Sequence, residues 1–125
     1  MAYEYDSENI FAKILRGEIP NSTVADSEYS LAFRDIAPAA PEHILVIPKG
    51  AYVNFDHFGI EASDAEIVDF NRLVAKITRE IGVAQDVGGQ GYRLITNAGV
   101  HGVQDVLHFH MHILGGRRLG RMIAT

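Results

Sequence analysis

A segment near the C-terminus, residues 107–116, constrains the fold more than any other part of the sequence. Within it, three histidines alternate with apolar side chains, and two glycines follow. The histidines are His108, His110 and His112, and the alternating apolar residues are Phe109, Met111 and Ile113. Successive side chains of an extended strand point to opposite faces of a sheet. The alternation therefore predicts a strand with three imidazoles on one face and a core-facing set on the other.

Four interpretations of this histidine row remain open on chemical grounds alone. It could be a solvated strand face, although histidine is not a preferred strand residue, or a structural stack, which has no evident driving force. It could bind zinc through neutral imidazoles. Since the chain has no cysteine, further ligands would be His43, His57, His101 or a carboxylate. Finally, one imidazole could attack a substrate while its neighbours orient it, because imidazole titrates near neutral pH and its two nitrogens can do different jobs.

Length, composition and charge narrow the function classes. The 125 residues fit a single domain, 1–125, and 47% hydrophobic residues are enough to bury a core. A net charge of -5 and a pI of about 5.6 argue against an extended nucleic-acid-binding surface. No apolar stretch approaches the ~18 residues of a membrane helix. We expect a soluble, cytoplasmic protein with neither nucleic acid nor membrane as a partner.

Periodicity and turn signals predict an α+β fold. The expected strands are 23–26, 29–35, 43–48, 92–97 and the histidine segment. The expected helices are a short one over about 8–16, capped by Ser7, and a long one from a capping box at 63–66 to about residue 81. Residues 50–62 are expected to form a loop or short helical turn, 83–91 a loop, and 1–6 a loose terminus. The sheet should be five-stranded and mainly antiparallel, with the long helix packed on one face.

Several segments resemble signatures of the histidine triad superfamily. The histidine segment His-Phe-His-Met-His-Ile-Leu is similar to its defining motif, and an upstream Pro- and His-containing run is similar to a second one. The start of the chain and the Leu-Gly-Gly-Arg ending resemble the Hint branch in particular. The matching segments are 10–20, 35–49, 108–114 and 114–117. The resemblance covers about residues 10–117 and leaves 1–6 and 118–125 as tails.

This resemblance implies a HIT-like fold and a homodimer whose two sheets meet edge to edge as one sheet of ten strands. It also implies hydrolysis or transfer at the α-phosphate of a purine nucleotide of the AMP or GMP type. Nucleoside 5′-phosphoramidates and related mixed anhydrides would be the substrates. His110 would attack phosphorus, giving a nucleotidyl-histidine that water then cleaves. His108 and His112 would flank the nucleophile and His43 would help orient them, with no metal or other cofactor required.

The resemblance also implies nucleotide contacts along the chain. Asp35 would accept hydrogen bonds from ribose hydroxyls, because a carboxylate can take two hydroxyl donors at once. Gln104 and the amides of the loop before the histidines would bind phosphate oxygens. The other expected contacts are Ile10, Phe11, Ile14, Phe33, Ile36, Asn97, Val103 and Asp105. Plain core packing is an equally good interpretation of Ile10, Phe11 and Ile14.

Two positions depart from the family pattern. Val103 stands where the family often has glycine; it keeps the backbone N–H but tolerates fewer torsions. Asp105 stands where well-studied animal members have serine, and an ionised carboxylate repels phosphate. Asp105 could instead orient a histidine or turn outward. The basic tail could bring Arg117 or Arg121 near an acidic substrate, or it could simply be solvated.

Other functions remain as alternatives to a phosphoramidase. A dinucleoside polyphosphate hydrolase belongs to the same superfamily, although the Hint-like start and ending argue against it. A nucleotide-binding or adaptor module with weak catalysis is a second alternative, and the intact triad argues against it. A metal-binding protein that acts on no substrate is the third.

Overall fold

Five antiparallel strands form one sheet in the computed structural model, which describes residues 3–123. The strands are β1 (Thr23–Asp26), β2 (Ser30–Arg34), β3 (Glu42–Pro48), β4 (Tyr92–Ile95) and β5 (Met111–Gly115). Their order is β1-β2-β3-β5-β4, and all four neighbouring pairs are antiparallel. The histidine-bearing β5 therefore lies inside the sheet, between β3 and β4. The predicted α+β class and five-stranded sheet are confirmed.

Among residues 3–123, three α-helices accompany the sheet, one more than predicted. They are α1 (Ile10–Leu15), α2 (Phe55–Glu61) and α3 (Asp64–Glu80), and a 3-10 turn follows at Gln85–Val87. Helix α2 lies in the segment predicted as a loop or short helical turn. The side chain of Asn54 begins it by accepting a hydrogen bond from the His57 N–H. Its seven residues carry too few apolar repeats for the sequence pattern to separate a helix from a turn.

The boundaries of α1 and α3 follow from their caps. The prediction that Ser7 caps α1 is wrong, because the Asn9 Oδ1 accepts from the Ala12 N–H at 2.9 Å and starts the helix two residues later. In α3 the predicted capping box between Ser63 and Glu66 is confirmed. Gly82 follows the end of α3 with a φ of +78°, a conformation that favours glycine.

The sheet has two different faces, and the alternation along each strand separates them. One face packs against α3 and α2 around Ile44, Val46, Phe109 and Ile113. The opposite face packs against α1 and includes Leu31, Phe33, Leu45 and Ile47. The predicted apolar stripe of α3 is confirmed, because Phe70, Leu73, Val74 and Ile77 are buried and Ile67 and Ile81 pack against them. The α3 face is therefore scaffold, and the α1 face carries the histidines.

The histidine segment forms less strand than predicted. Regular pairing begins only at Met111, so His112 lies in β5, whereas His108 and His110 lie in an extended lead-in. That lead-in is held by separate contacts, including the Phe109 N–H donating to the Tyr52 carbonyl at 2.7 Å. The strand predicted over 92–97 likewise ends early, at Ile95.

The described part of the N-terminal segment is packed, contrary to the predicted loose terminus. The Tyr5 hydroxyl contacts His108, and the Tyr3 hydroxyl contacts Asp56. Residues 1–2 and 124–125, which belong to the predicted tails, lie outside the described residues. Among residues 3–123, no helix has the length and apolar character needed to cross a membrane.

Candidate functional site

Four histidines converge on the α1 face of the sheet. His108, His110 and His43 are buried, with exposed fractions of 0%, 6% and 7%, and His112 is partly exposed. The His110 and His112 rings lie 5.1 Å apart, and the Phe11 ring contacts His110 edge-on at 5.0 Å. The predicted clustering of the histidines on one face is therefore what the structure shows.

A chain of hydrogen bonds fixes the protonation of His43 and His112. The Ala39 N–H donates to Nδ1 of His43 at 3.0 Å, so we assign the hydrogen of the neutral His43 ring to Nε2. That Nε2 lies 2.9 Å from Nδ1 of His112 and 3.4 Å from a carboxylate oxygen of Asp35. Nδ1 of His112 is then the acceptor, which leaves the His112 hydrogen on Nε2.

His110 carries its hydrogen on the other nitrogen. Its Nδ1 lies 2.7 Å from the backbone carbonyl of His108, which can only accept, so Nδ1 must donate. Nε2 of His110 is then an unprotonated lone pair. The carbonyl of His110 accepts a hydrogen bond from the Thr96 hydroxyl at 2.7 Å, which ties the lead-in to the end of β4. Sequence reasoning assigned no role to Thr96.

The Nε2 atoms of His110 and His112 are both available to a ligand. Neither has a hydrogen-bond partner among residues 3–123, and neither is sealed from solvent. One is a lone pair and the other an N–H donor. The site therefore offers a nucleophile and a hydrogen-bond donor on adjacent rings, as acyl or phosphoryl transfer requires.

Burial keeps the histidines neutral. It lowers the pKa of His108 to about 4 and, together with the neighbouring His110 and His43, lowers that of His112 to about 4. Burial also lowers the pKa of His110, although the hydrogen bond to the His108 carbonyl and the charges of Asp105 and Asp35 partly oppose the shift. It likewise lowers the pKa of His43, which Asp35 opposes. At neutral pH the lone pair of His110 is therefore unprotonated, as a nucleophile must be.

The loop between β4 and the histidines is held mainly by its own atoms. The Val103 N–H donates to the Val100 carbonyl and the Gln104 N–H to that of Gly99, each at 3.1 Å. The Gln104 side-chain amide donates to the carbonyls of Val53 at 2.7 Å and Val106 at 3.0 Å. Val103 has a φ of +56°, the left-handed conformation that favours glycine. The Gly99 N–H donates to the Gln104 side-chain oxygen at 3.3 Å. The phosphate contacts of this loop thus stay a prediction, since three of its amides and the glutamine side chain already have partners.

The carboxylates at the site differ in how they are held. Asp35 Oδ1 accepts from the Ala37 N–H at 2.8 Å, while Oδ2 faces His43. Asp105 is exposed and lies close enough to raise the pKa of both His110 and His112. A cavity of about 240 Å³ lies beside Asp105 and is bordered by Ile10, Asn9 and Asp6.

The apolar residues predicted to face a nucleobase separate into two groups. Phe11, Ile14 and Phe33 are buried in the cluster between α1 and the sheet, as the core interpretation predicts. Ile10 and Ile36 are exposed, at 43% and 97%. Partly buried Asn97 follows β4 at the start of the loop. Only the exposed side chains offer a substantial surface to a ligand.

Asp35, His43 and His112 also form a candidate metal site. Their ligand atoms lie within 4.8 Å of one another, and carboxylate and imidazole are both zinc ligands. A metal there would have to replace the hydrogen bond between His43 and His112. His57, which lies in α2, is not part of this candidate metal site, and its Nδ1 accepts a hydrogen bond from the Val53 N–H at 2.9 Å.

A second cleft, of about 600 Å³, lies away from the histidines. It is lined by the glycine-rich residues after α3, such as Gly89 and Gly91, and by Arg117 and Arg118. Arg117 donates to the Ala39 carbonyl at 3.1 Å, so in this structure it is tied to its own chain.

Comparison with known proteins gives the same fold and the same family. A HIT-like protein of Azospirillum brasilense is 51% identical over 98% of each chain. The purine nucleoside phosphoramidase of Escherichia coli K12 is 45% identical over 94% of each chain. The solved structure of a HIT family hydrolase from Clostridium thermocellum superposes with a TM-score of 0.81 at 38% identity, covering 95% of this chain and 99% of that one.

The match extends well beyond the histidine segment. The HIT domain family matches residues 16–119, from the end of α1 past the end of β5. Similarity of this extent includes the scaffold face as well as the histidine face. The resemblance seen in the sequence is thus confirmed, and this chain belongs to the HIT domain family.

Proposed function

We propose that this protein hydrolyses purine nucleoside 5′-phosphoramidates and related mixed anhydrides at the α-phosphate. The observation that supports this most directly is the opposite protonation of two adjacent, accessible nitrogens. His110 presents a lone pair on Nε2, and His112 presents an N–H on Nε2. A phosphoryl group placed between them meets a nucleophile and an oxygen-binding donor at once.

In the proposed reaction, Nε2 of His110 attacks the α-phosphorus. A bond forms between nitrogen and phosphorus while the bond to the leaving amine breaks. The amine departs with the electron pair and takes up a proton from solvent. Water then attacks the nucleotidyl-histidine, releases the nucleoside monophosphate and gives up a proton. The N–H of His112 stabilises the charge on the phosphoryl oxygens, and Nδ1–H of His110 keeps its bond to the His108 carbonyl throughout.

The nucleoside would lie between the exposed Ile10 and the Asp35 carboxylate. Each Asp35 oxygen faces one donor of the protein, which leaves lone pairs for ribose hydroxyls. Ile36 and Asn97 would contribute from the loops after β2 and β4. The buried Phe11, Ile14 and Phe33 would support this surface from below.

We further propose a homodimer in which the sheets of two copies join at their edges. β4 is an edge strand, and its Tyr92 and Leu94 are exposed at 46% and 42%. An uncovered edge with apolar side chains favours pairing with another strand. Light scattering coupled to size exclusion should give twice the 13.8 kDa chain mass. A monomer at micromolar concentration would contradict this part of the proposal.

The substrate class can be tested by comparing kcat/KM for two nucleotides. We expect adenosine 5′-phosphoramidate to be hydrolysed far faster than diadenosine tetraphosphate, with AMP as the product. Faster cleavage of the diadenosine compound would favour the polyphosphate hydrolase alternative. Tight AMP binding with no turnover of either compound would favour a binding or adaptor module.

Metal binding is the second candidate function, because Asp35, His43 and His112 group three ligand atoms. The test is metal analysis of protein purified without a histidine tag, combined with turnover in the presence of a chelator. The proposed mechanism predicts full activity with chelator and substoichiometric metal. Near-stoichiometric zinc, with activity lost on its removal, would contradict the metal-free mechanism.

A further inference from the structure

We propose that Tyr5 is a positioning residue that, through His108, holds the nucleophile His110 in its reactive protonation state. This inference rests on the proposed function, because it concerns the same site. Tyr5 lies in the N-terminal segment, far in sequence from the histidines. Its hydroxyl oxygen is 2.6 Å from Nδ1 of His108, and the two rings meet edge-on with centroids 5.5 Å apart.

The direction of this hydrogen bond follows from the other side of the His108 ring. Nε2 of His108 lies 2.8 Å from the Pro48 carbonyl, which can only accept, so Nε2 carries the hydrogen. Burial lowers the pKa of His108, so the ring is neutral at neutral pH. Nδ1 is then a lone pair, and the Tyr5 hydroxyl is its donor. Tyr5 and Pro48 together fix both the orientation and the tautomer of this fully buried ring.

His108 contacts the nucleophile through its backbone, so the ring can act on His110 only by holding residue 108 in place. The backbone carbonyl of His108 accepts the hydrogen of His110 Nδ1 at 2.7 Å, and this bond leaves the lone pair of His110 on Nε2. Without Tyr5, Nδ1 of His108 would be a buried acceptor with no donor. The ring would then gain by flipping or shifting, which would disturb its bond to Pro48 and the carbonyl that faces His110.

Tyr3 provides a matched control within the same segment. Its hydroxyl donates to the Asp56 carboxylate and its ring contacts His57, so it packs on α2 and not on the triad. Tyr5→Phe and Tyr3→Phe each remove one hydroxyl and keep the ring. A difference between the two variants therefore reports the contact with His108 and not the docking of the segment.

The experiment measures both variants in three ways. Two-bond ¹H–¹⁵N correlation spectra report which nitrogen of each histidine carries its hydrogen, and they need no substrate. Single-turnover kinetics with adenosine 5′-phosphoramidate give the rate of nucleotidyl transfer, and AMP titration gives the Kd. We expect Tyr5→Phe to change the ¹⁵N signals of His108 and His110. It should also slow the transfer by roughly 10-fold, the effect of losing one buried hydrogen bond when the loss raises the reaction barrier. The Kd of Tyr5→Phe for AMP should stay within about 2-fold of the wild-type value. Tyr3→Phe should leave the spectra, the transfer rate and the Kd unchanged.

The spectra and the kinetics together distinguish failure of this inference from failure of the proposed function. If the wild type transfers no nucleotidyl group, the proposed function fails, and the spectra still decide whether Tyr5 sets the tautomer of His108. Unchanged spectra in Tyr5→Phe would overturn the inference. A rate loss that equals the unfolded fraction measured by urea denaturation in the same buffer would also overturn it, because Tyr5 would then be purely structural.

Discussion

At the scale of the residue, the chemistry of the site depends on which nitrogen of each ring carries a hydrogen. Backbone groups set most of these positions: the Ala39 N–H acts on His43, the His108 carbonyl on His110 and the Pro48 carbonyl on His108. Backbone atoms remain in place when side chains are substituted. The protonation pattern should therefore survive many mutations around the site, and it should be sensitive to the few side chains that complete it.

Asp105 is one side chain whose effect on the site can be predicted with a sign. Its carboxylate raises the pKa of His110, the ring that we propose attacks phosphorus. Asp105→Ser should shift the acid limb of kcat/KM to lower pH and tighten AMP binding by about 3- to 10-fold, because an exposed like charge is removed. Asp6→Asn is the control, since Asp6 borders the same cavity but does not act on His110. Weaker AMP binding by Asp105→Ser would show that the carboxylate contributes to the site.

Val103 carries backbone strain that glycine would relieve. It is the one non-glycine residue with positive φ among those described, and its side chain is 69% exposed, so little burial would be lost. Val103→Gly should raise the free energy of unfolding by about 1 kcal/mol, since a β-branched residue is costly in this conformation. Val100→Gly, at a 91% exposed position of the same loop without positive φ, should lower it by about 0.5–1 kcal/mol. Urea denaturation measures both, and equal shifts in the two variants would contradict the assignment of strain.

At the scale of the element, the site is assembled from segments that are not themselves regular. His112 lies in β5 and His43 in β3, but His108 and His110 lie in the lead-in before β5. In the pairing of β3 with β5, the Cα of His43 lies opposite that of Leu114, and the Cα of His112 lies opposite that of Leu45. The two histidines are therefore diagonal neighbours on adjacent strands. Strand register therefore places one half of the site, and tertiary hydrogen bonds place the other half.

The cap of α1 gives a prediction at this scale. Asn9 caps the helix through its side chain, whereas Ser7 uses only its backbone carbonyl, which accepts from Arg16. Asn9→Ala should lower the free energy of unfolding by about 1 kcal/mol, and Ser7→Ala should change it by less than about 0.5 kcal/mol. Chemical denaturation compares the two. A larger loss of unfolding free energy in Ser7→Ala than in Asn9→Ala would show that Ser7 caps the helix, as the sequence predicted.

The pattern of side chains predicted the helices, the strands and the histidine cluster well. It predicted the individual contacts between these elements poorly. Alternation placed the histidines on one face, and helical spacing identified the buried stripe of α3. Sequence gave no signal for Thr96 or for the carbonyls of Pro48 and Tyr52, because each meets its partner only after the chain has folded. For Tyr5, the only sequence signal was its alternation with Tyr3 in an otherwise polar segment. Such contacts depend on tertiary position, which short-range periodicity does not encode.

At the scale of the whole molecule, the two faces of the sheet differ in what they bury: one buries mainly apolar side chains, and the other also buries the histidines of the candidate site. The α3 face is an apolar core that includes Phe70, Ile77 and Phe109. The α1 face buries titratable rings beside its own apolar cluster. Neutral histidines in this environment stabilise the folded chain only while they stay unprotonated, so the whole protein should be sensitive to acid.

The direction of that pH dependence follows from the lowered pKa values. Unfolded histidines take up protons near pH 6.5, but His108 and His112 do so in the folded protein only near pH 4. Below pH 6.5 the unfolded chain therefore binds more protons, and stability falls as pH drops toward 4. The two groups together should contribute a loss of roughly 2–5 kcal/mol across this range. In the upper part of this range, above about pH 5.5, the loss comes from histidines, because the lowered pKa values of Glu66 and Glu18 affect stability only as the pH approaches 4.5.

Urea denaturation at pH 7.5 and pH 5.0 checks this expectation. The wild type should unfold at a clearly lower urea concentration at pH 5.0. His112→Gln should show a smaller difference between the two pH values, because one of the titrating groups is gone. Equal stability of the wild type at both pH values would mean that the histidines are not held neutral by burial.

The central claim, covalent catalysis by His110, is tested most directly by intact-protein mass spectrometry. Wild type, His110→Ala and His110→Gly are mixed with adenosine 5′-phosphoramidate and quenched rapidly. We predict that the wild type gains the mass of one adenylyl group and releases AMP, and that neither variant does. An adduct of the same mass on His110→Ala, or turnover by that variant at the wild-type rate, would contradict the account.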